Sequence, residues 1–279
     1  MMKKIDTHMH VWRLERGDYD WLSSELGSIY RDFCIDDVWA EADTASVQGV
    51  ILVQAAGTLA ETEFMLSLAH QDERIAGVVG WVDLESDDAT QQISRLADNE
   101  HIVGLRPMIA DLPQADWILD DRFTPLLAQM AQLGLVLDGH ARQDLIQIKT
   151  RLAERHPDLQ IVLNHAGKPP IASGDLATWS KDLAGLAACP NVTCKMSGLL
   201  TEAGPHTDDD SIGAVVEHVA ACFGPERVMW GSDWPVLTLA GTYTQWAQQS
   251  ERLIRRHFAG HEQAVCITNA ERIYLSRKG

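Results

Sequence analysis

The groups in this chain best able to do chemistry are a few imidazoles and carboxylates placed where strands end. Asp6, His8 and His10 alternate within Ile5-Asp6-Thr7-His8-Met9-His10-Val11-Trp12, and period-two alternation puts them on one face of a strand. Two imidazoles so placed converge on one point, as a metal ion or a reacting carbonyl requires. Asp233 sits in Gly231-Ser232-Asp233-Trp234-Pro235, directly after the apolar Val228-Met229-Trp230. A carboxylate beside imidazoles can act as general base toward water. His165 follows Ile161-Val162-Leu163, His140 follows Val136-Leu137-Asp138-Gly139, and Arg106 lies between Leu105 and Pro107. Gln54, Trp81, Asp83, Lys195 and Ser197 also close apolar runs. His70, His101, His156, His218, His257 and His261 fall on or beside helical stretches and read as ordinary residues.

These groups need a scaffold that brings distant strand ends together. Eight short apolar runs begin near residues 5, 50, 75, 102, 134, 159, 191 and 227, each separated by room for a helix. Continuous apolar runs, rather than strict alternation, indicate a parallel sheet covered on both faces. The spacing predicts a single distorted (β/α)8 barrel over residues 1–279, with an open doubly wound sheet as the alternative. In a barrel the C-terminal strand ends form the mouth, so His8, His10, Gln54, Trp81, Arg106, His140, His165, Lys195 and Asp233 share one rim. Trp81 and Trp234 border that mouth and can stack on a ring-shaped ligand, whereas Tyr19 and Trp21 read as core aromatics. Neither a Gly-x-Gly-x-x-Gly turn nor a Gly-Lys-Ser/Thr loop follows a strand, which removes support for dinucleotide and P-loop readings.

Composition narrows the partners. Forty acidic residues against 23 basic ones give a net charge of −17, which disfavours nucleic acid and anionic membranes but leaves room for a small-molecule substrate. The five cysteines (34, 189, 194, 222, 266) show no Cys-x-x-Cys pair, as expected in a reducing compartment. Polar residues interrupt the N-terminal segment before any signal-like apolar run, and no stretch reaches 18 apolar residues. A cytoplasmic location is the expectation.

Four segments together carry a resemblance: Ile5 to Trp12, Gly104-Leu105-Arg106-Pro107, Leu163-Asn164-His165-Ala166-Gly167-Lys168-Pro169, and Met229 to Pro235. They resemble the "amidohydrolase 2" branch of the amidohydrolase superfamily, and within it the sugar lactonases (L-fucono-, L-rhamnono- and galactonolactonases), with pyrone-dicarboxylate lactonase as a cousin. The resemblance implies a distorted (β/α)8 barrel. It matches His8 and His10 to the first-strand pair, His165 to the sixth-strand histidine and Asp233 to the eighth-strand aspartate. The carboxylated lysine that bridges two metals in the broader superfamily has no counterpart, since Arg106 occupies that segment. That argues against a binuclear centre. Two routes stay open: hydrolysis without metal, or one zinc held by His8, His10 and Asp233. Either way, Asp233 activates water against a lactone carbonyl polarised by the histidines or the zinc. A dicarboxylate substrate would want several arginine clamps, while a hydroxyl-rich lactone wants mixed donors and aromatic faces. Arg106, His140, Trp81, Gln54, Lys168 and Trp234 suit the second better, so an aldonolactone is preferred over a pyrone dicarboxylate. A zinc-dependent decarboxylase of the same superfamily and a non-catalytic binding barrel are the other readings.

Overall fold

Each of the eight apolar runs forms a parallel strand, and the strands follow one another around the sheet in chain order: β1 (Lys4–Met9), β2 (Val47–Val53), β3 (Ile75–Gly80), β4 (Ile102–Leu105), β5 (Val136–Gly139), β6 (Ile161–Leu163), β7 (Val192–Met196) and β8 (Val228–Trp230). The structure, a computed structural model, describes residues 1–108, 114, 116–139, 142–204 and 206–276. Between strands run α1 (Asp36–Thr44), α2 (Leu59–Ala69), α3 (Ala89–Ala97), α4 (Thr124–Gln132), α5 (Ile146–Arg155), α6 (Ala177–Ala187), α7 (Leu199–Ala203) and α8 (Asp209–Phe223), with α9 (Tyr243–His257) after β8. Sequential strand order excludes the doubly wound alternative, which reverses direction at a switch point. The fold is a distorted (β/α)8 barrel. No helix among the described residues is long and apolar enough to cross a membrane.

Alternation along the strands sorts side chains between two cores. Val50, Leu52, Val78, Leu137 and Trp230 point outward into the large cluster under the helices. Ile5, Ile51, Val79, Val136, Val162 and Met229 fill the interior, where Ala270, Ile273 and Tyr274 of the C-terminal segment join them. That segment winds through π-type turns at Ala264–Thr268 and Glu271–Leu275.

Several strands stop before the C-terminal end of their apolar runs. The run from Leu159 to Gly167 keeps only Ile161–Leu163 in the sheet, after which His165, Ala166 and Lys168 adopt left-handed backbone (φ 53°, 48° and 55°). Such residues cost about 1–3 kcal/mol each and persist where surrounding structure enforces them, often at functional sites. Asp233, with φ 65°, is another.

Ring closure rests on these irregular ends. β1 and β8 meet beyond their paired residues, where the Asp233 N–H donates to His8 O (2.8 Å) and the His10 N–H to Trp234 O (2.7 Å). The seam of the barrel therefore runs through His8, His10 and Asp233, three residues that the sequence marks as site candidates.

One sequence-based placement is corrected. Asp6, His8 and His10 do not share a face. Between Asp6 and Met9 the β1 register gains a residue, three steps against two on β2, and such a bulge reverses the face of the residues beyond it. The Asp6 carboxylate instead accepts from the backbone of His8 (3.1 Å) and Ser232 (2.9 Å) and from Tyr243 of α9 (2.9 Å). It braces the seam from behind while His8 and His10 turn inward.

Candidate active site

Four side chains meet at the mouth. The Asp233 Oδ1 lies 3.5 Å from His10 Nε2 and 3.7 Å from the Nε2 atoms of both His8 and His165. His8 Nε2 and His10 Nε2 are 3.2 Å apart. All four residues are buried, and they border or underlie a cavity of about 230 Å³, which suits a single small ring better than an extended ligand. His10, Arg106, His165, Lys168 and Asp233 supply its polar wall; Trp21, Ala55, Met108 and Val236 supply the apolar one.

Each imidazole has an assigned task on its far side. His10 Nδ1 faces the Val53 carbonyl at 2.7 Å. A carbonyl only accepts, so Nδ1 carries a proton, and in the neutral ring Nε2 then presents a lone pair. His8 Nδ1 faces the Lys195 amine at 3.3 Å; a charged lysine only donates, which leaves the proton on His8 Nε2. His165 Nδ1 pairs with the Ser197 hydroxyl at 2.9 Å. Behind Lys195 stands Asp138 (2.8 Å), which also accepts from Asn164 (2.5 Å) and from the Tyr274 hydroxyl.

Electrostatics set the protonation states. Burial, reinforced by Lys195 and by the neighbouring imidazoles, lowers the His8 pKa well below its ordinary value. Burial likewise pushes His165 down to about 3 against the pull of Asp233. Both rings are therefore neutral near pH 7. Burial alone would raise the Asp233 carboxyl, but His165, His10 and Lys168 outweigh it and hold the group below the usual aspartate value. The site thus sets an ionised carboxylate beside the neutral imidazoles of His8 and His165, the arrangement of a general base with donors beside it.

The same atoms fit a metal. Donors about 2.0–2.1 Å from a tetrahedral zinc lie roughly 3.3 Å from one another, close to the 3.2–3.7 Å separations among His8 Nε2, His10 Nε2 and Asp233 Oδ1. The His10 lone pair is already aimed correctly. Ligation through His8 needs its other tautomer, with the proton on Nδ1 beside Lys195.

The remaining candidates fall in different places. Arg106 and Lys168 line the cavity; Lys168 is steadied by Glu202 of α7 (3.1 Å). Gln54 is fully buried outside the lining, exchanging hydrogen bonds with Arg106: its side-chain amide donates to the Arg106 backbone carbonyl (2.8 Å) and its backbone carbonyl accepts from the guanidinium (3.0 Å). Trp81 packs by Gly57 and does not reach the lining. Trp234 is also buried, edge-on to Phe33 at 5.3 Å. His140 lies outside the described residues. Trp21, read from sequence as a core residue, is 40% exposed and forms part of the wall; its irregular loop has no period that could have revealed this.

Gly198 shows how tightly His165 is held. Its φ is +63°, and a Cβ there would come 2.7 Å from His165 Nδ1. Gly198→Ala should therefore displace the ring from Ser197 and Asp233. A misplacement of this kind costs on the order of a hundredfold in kcat. Steady-state kinetics alongside thermal melts check it: a large kcat loss in a folded variant is expected, and near-normal turnover contradicts the fit.

Known proteins resemble this chain over nearly its whole length. The amidohydrolase family model matches residues 5–275. The L-fucono-1,5-lactonase of Burkholderia ambifaria is 41% identical over 243 residues, covering 87% of this chain and 84% of that protein. The enzyme of the same description from Burkholderia multivorans is 33% identical over 279 residues, covering 94% and 92%. Among solved structures, an amidohydrolase from Burkholderia multivorans with bound zinc superposes with a TM-score of 0.91 at 33% identity, over 98% of this chain and 99% of that one.

Proposed function

This chain belongs to the amidohydrolase family, and on that premise we propose that it opens the ester ring of a sugar lactone to give the aldonic acid. The observation that carries the proposal is the ionised Asp233 carboxylate set 3.5–3.7 Å from three imidazole nitrogens at the wall of a small cavity. Two relatives described as L-fucono-1,5-lactonases support the substrate class and make that lactone the first to test.

In the proposed reaction Asp233 takes a proton from water, whose oxygen attacks the lactone carbonyl carbon. Charge develops on the carbonyl oxygen; the Nε2–H of His8 is a donor to it, and His165 is a second one in the tautomer whose Nδ1 accepts from the Ser197 hydroxyl. Removing one such donor typically costs about 3 kcal/mol, more than a hundredfold in rate. The tetrahedral adduct collapses by breaking the bond to the ring oxygen, and protonated Asp233 returns its proton there. Arg106 and Lys168 orient the ring's oxygens. His8, His10 and Asp233 are the residues that would hold a zinc, whose Lewis acidity would polarise the same carbonyl. A zinc-bound relative with a similar fold supports that assignment.

A pH-indicator screen of sugar lactones and a pyrone dicarboxylate lactone, each with and without chelator, tests the reading. Acid release from a sugar lactone is the expected result, L-fucono-1,5-lactone first. Release from the pyrone alone would shift the substrate class. Chelator-sensitive release of CO2 from an aromatic acid would replace hydrolysis by decarboxylation, and binding without turnover would make the barrel a binding protein.

A further inference from the structure

The loop of residues 13–35 holds a feature that no step of the proposed reaction uses. Trp21 is among the few large exposed apolar side chains of the protein, and yet it is fixed. Its indole N–H donates to Ala55 O at 2.7 Å, and its ring meets buried Trp12 edge-on at 5.5 Å and 87°. What is left of its surface helps to line the cavity with Ala55 and His10.

A buried carboxylate holds this arrangement from behind. Glu61, in the first turn of α2, is fully buried and outside the cavity lining. Burial of a carboxylate is costly unless its partners compensate, and here they tie two pieces of chain together. One oxygen accepts from the Ala55 N–H (3.2 Å), on the residue whose carbonyl holds Trp21. The other accepts from the Tyr19 hydroxyl (2.7 Å), two residues before Trp21. Arg16 donates to the Tyr19 oxygen (3.1 Å), lies 3.4 Å from Glu61 and pairs with Asp18 (2.6 Å), which in turn accepts from Thr58 (2.7 Å).

We propose that Trp21 is the specificity-determining platform of this site, stacking on the C–H face of the sugar-lactone ring, and that Tyr19 and Glu61 are positioning residues that hold it there. The assignment rests on the lactonase reading of the site. An aromatic face takes the apolar C–H face of a sugar ring and disfavours a hydroxyl projecting into it. It therefore discriminates between epimers that differ on that face. Because the platform binds the ring in ground and transition states alike, it acts on KM and leaves kcat largely alone.

The experiment measures kcat and KM of the full-length protein with two epimeric sugar lactones for wild type, Trp21→Ala, Trp21→Phe, Tyr19→Phe and the Trp21→Ala/Tyr19→Phe double variant, each checked for folding by thermal melt. Loss of stacking should raise KM roughly tenfold in Trp21→Ala, with kcat within about threefold and the epimer preference reduced. Trp21→Phe should recover most of the KM. Tyr19→Phe should raise KM in the same direction and add nothing in the double variant, because residues acting through one another are non-additive. Unchanged KM and preference in a folded Trp21→Ala overturn the assignment alone. Additive effects of Tyr19→Phe overturn its positioning role. A wild-type protein that opens no sugar lactone overturns the underlying reading, and the platform with it.

Discussion

Replacing Asp233 by asparagine should lower kcat by about a hundred- to ten-thousandfold, the range removed with a general base, while KM and the melting temperature stay near wild type. The backbone argues for a folded variant. Asp233 has φ 65° and donates its N–H to His8 O, and asparagine tolerates left-handed backbone at least as well as aspartate. What is lost is the negative charge. The pH profile provides a second check on the same residue. Burial would raise the Asp233 pKa, yet His165, His10 and Lys168 keep it below the ordinary 3.8. Protonation removes the base, so kcat/KM should fall as pH drops through that lowered value and be flat between about pH 5 and 7. A half-maximal point near the ordinary histidine value of about 6.5 would instead put an imidazole in control. Near-normal turnover by Asp233→Asn would end the assignment of Asp233 as base.

The barrel was legible in the sequence because parallel strands buried on both faces leave continuous apolar runs, and Ile161-Val162-Leu163 or Val228-Met229-Trp230 can hardly be anything else between helical stretches. The mouth was legible because polar residues close such runs at a fixed place in the fold. Those rules speak for the sheet, and the site lies where the sheet stops. The β1 bulge that turns Asp6 away from His8 leaves no mark in an alternating pattern, since alternation presumes constant register. The sequence places Trp234 at the border of the mouth, but left-handed Asp233 turns the chain there and Trp234 enters the aromatic cluster with Phe33. Trp21 was missed for the opposite reason: a loop shaped by Glu61, Tyr19 and Arg16 gets its geometry from contacts distant in the chain, Tyr19 and Glu61 being 42 residues apart.

Lys195 and Asp138 should give the other large effect, and the pair separates stability from chemistry. Both side chains are fully buried at 2.8 Å. Burial alone would raise the Asp138 carboxyl, but Lys195 and Tyr274 hold it below the ordinary aspartate value; burial also lowers the Lys195 amine, and the 2.8 Å contact is what keeps the two charges together. Lys195→Met leaves Asp138 charged, with Asn164 and Tyr274 as its remaining hydrogen-bond donors among the described residues, and a buried charge stripped of its partner typically costs about 3–5 kcal/mol. The variant also loses the donor at His8 Nδ1. Without that donor both tautomers of the ring become available, and a wrongly placed imidazole proton is expensive in catalysis; loss of the tautomer-fixing carboxylate in the Ser-His-Asp triad costs roughly ten-thousandfold. A fall in kcat of at least about a hundredfold is expected here, with KM little changed. Adding Asp138→Asn to Lys195→Met removes the stranded charge and should return on the order of 2 kcal/mol of stability, read by chemical denaturation. It cannot return the donor to His8, so kcat should stay low in the more stable double variant. If kcat instead recovered with stability, Lys195 would be a structural cation whose contact with His8 has no part in the reaction.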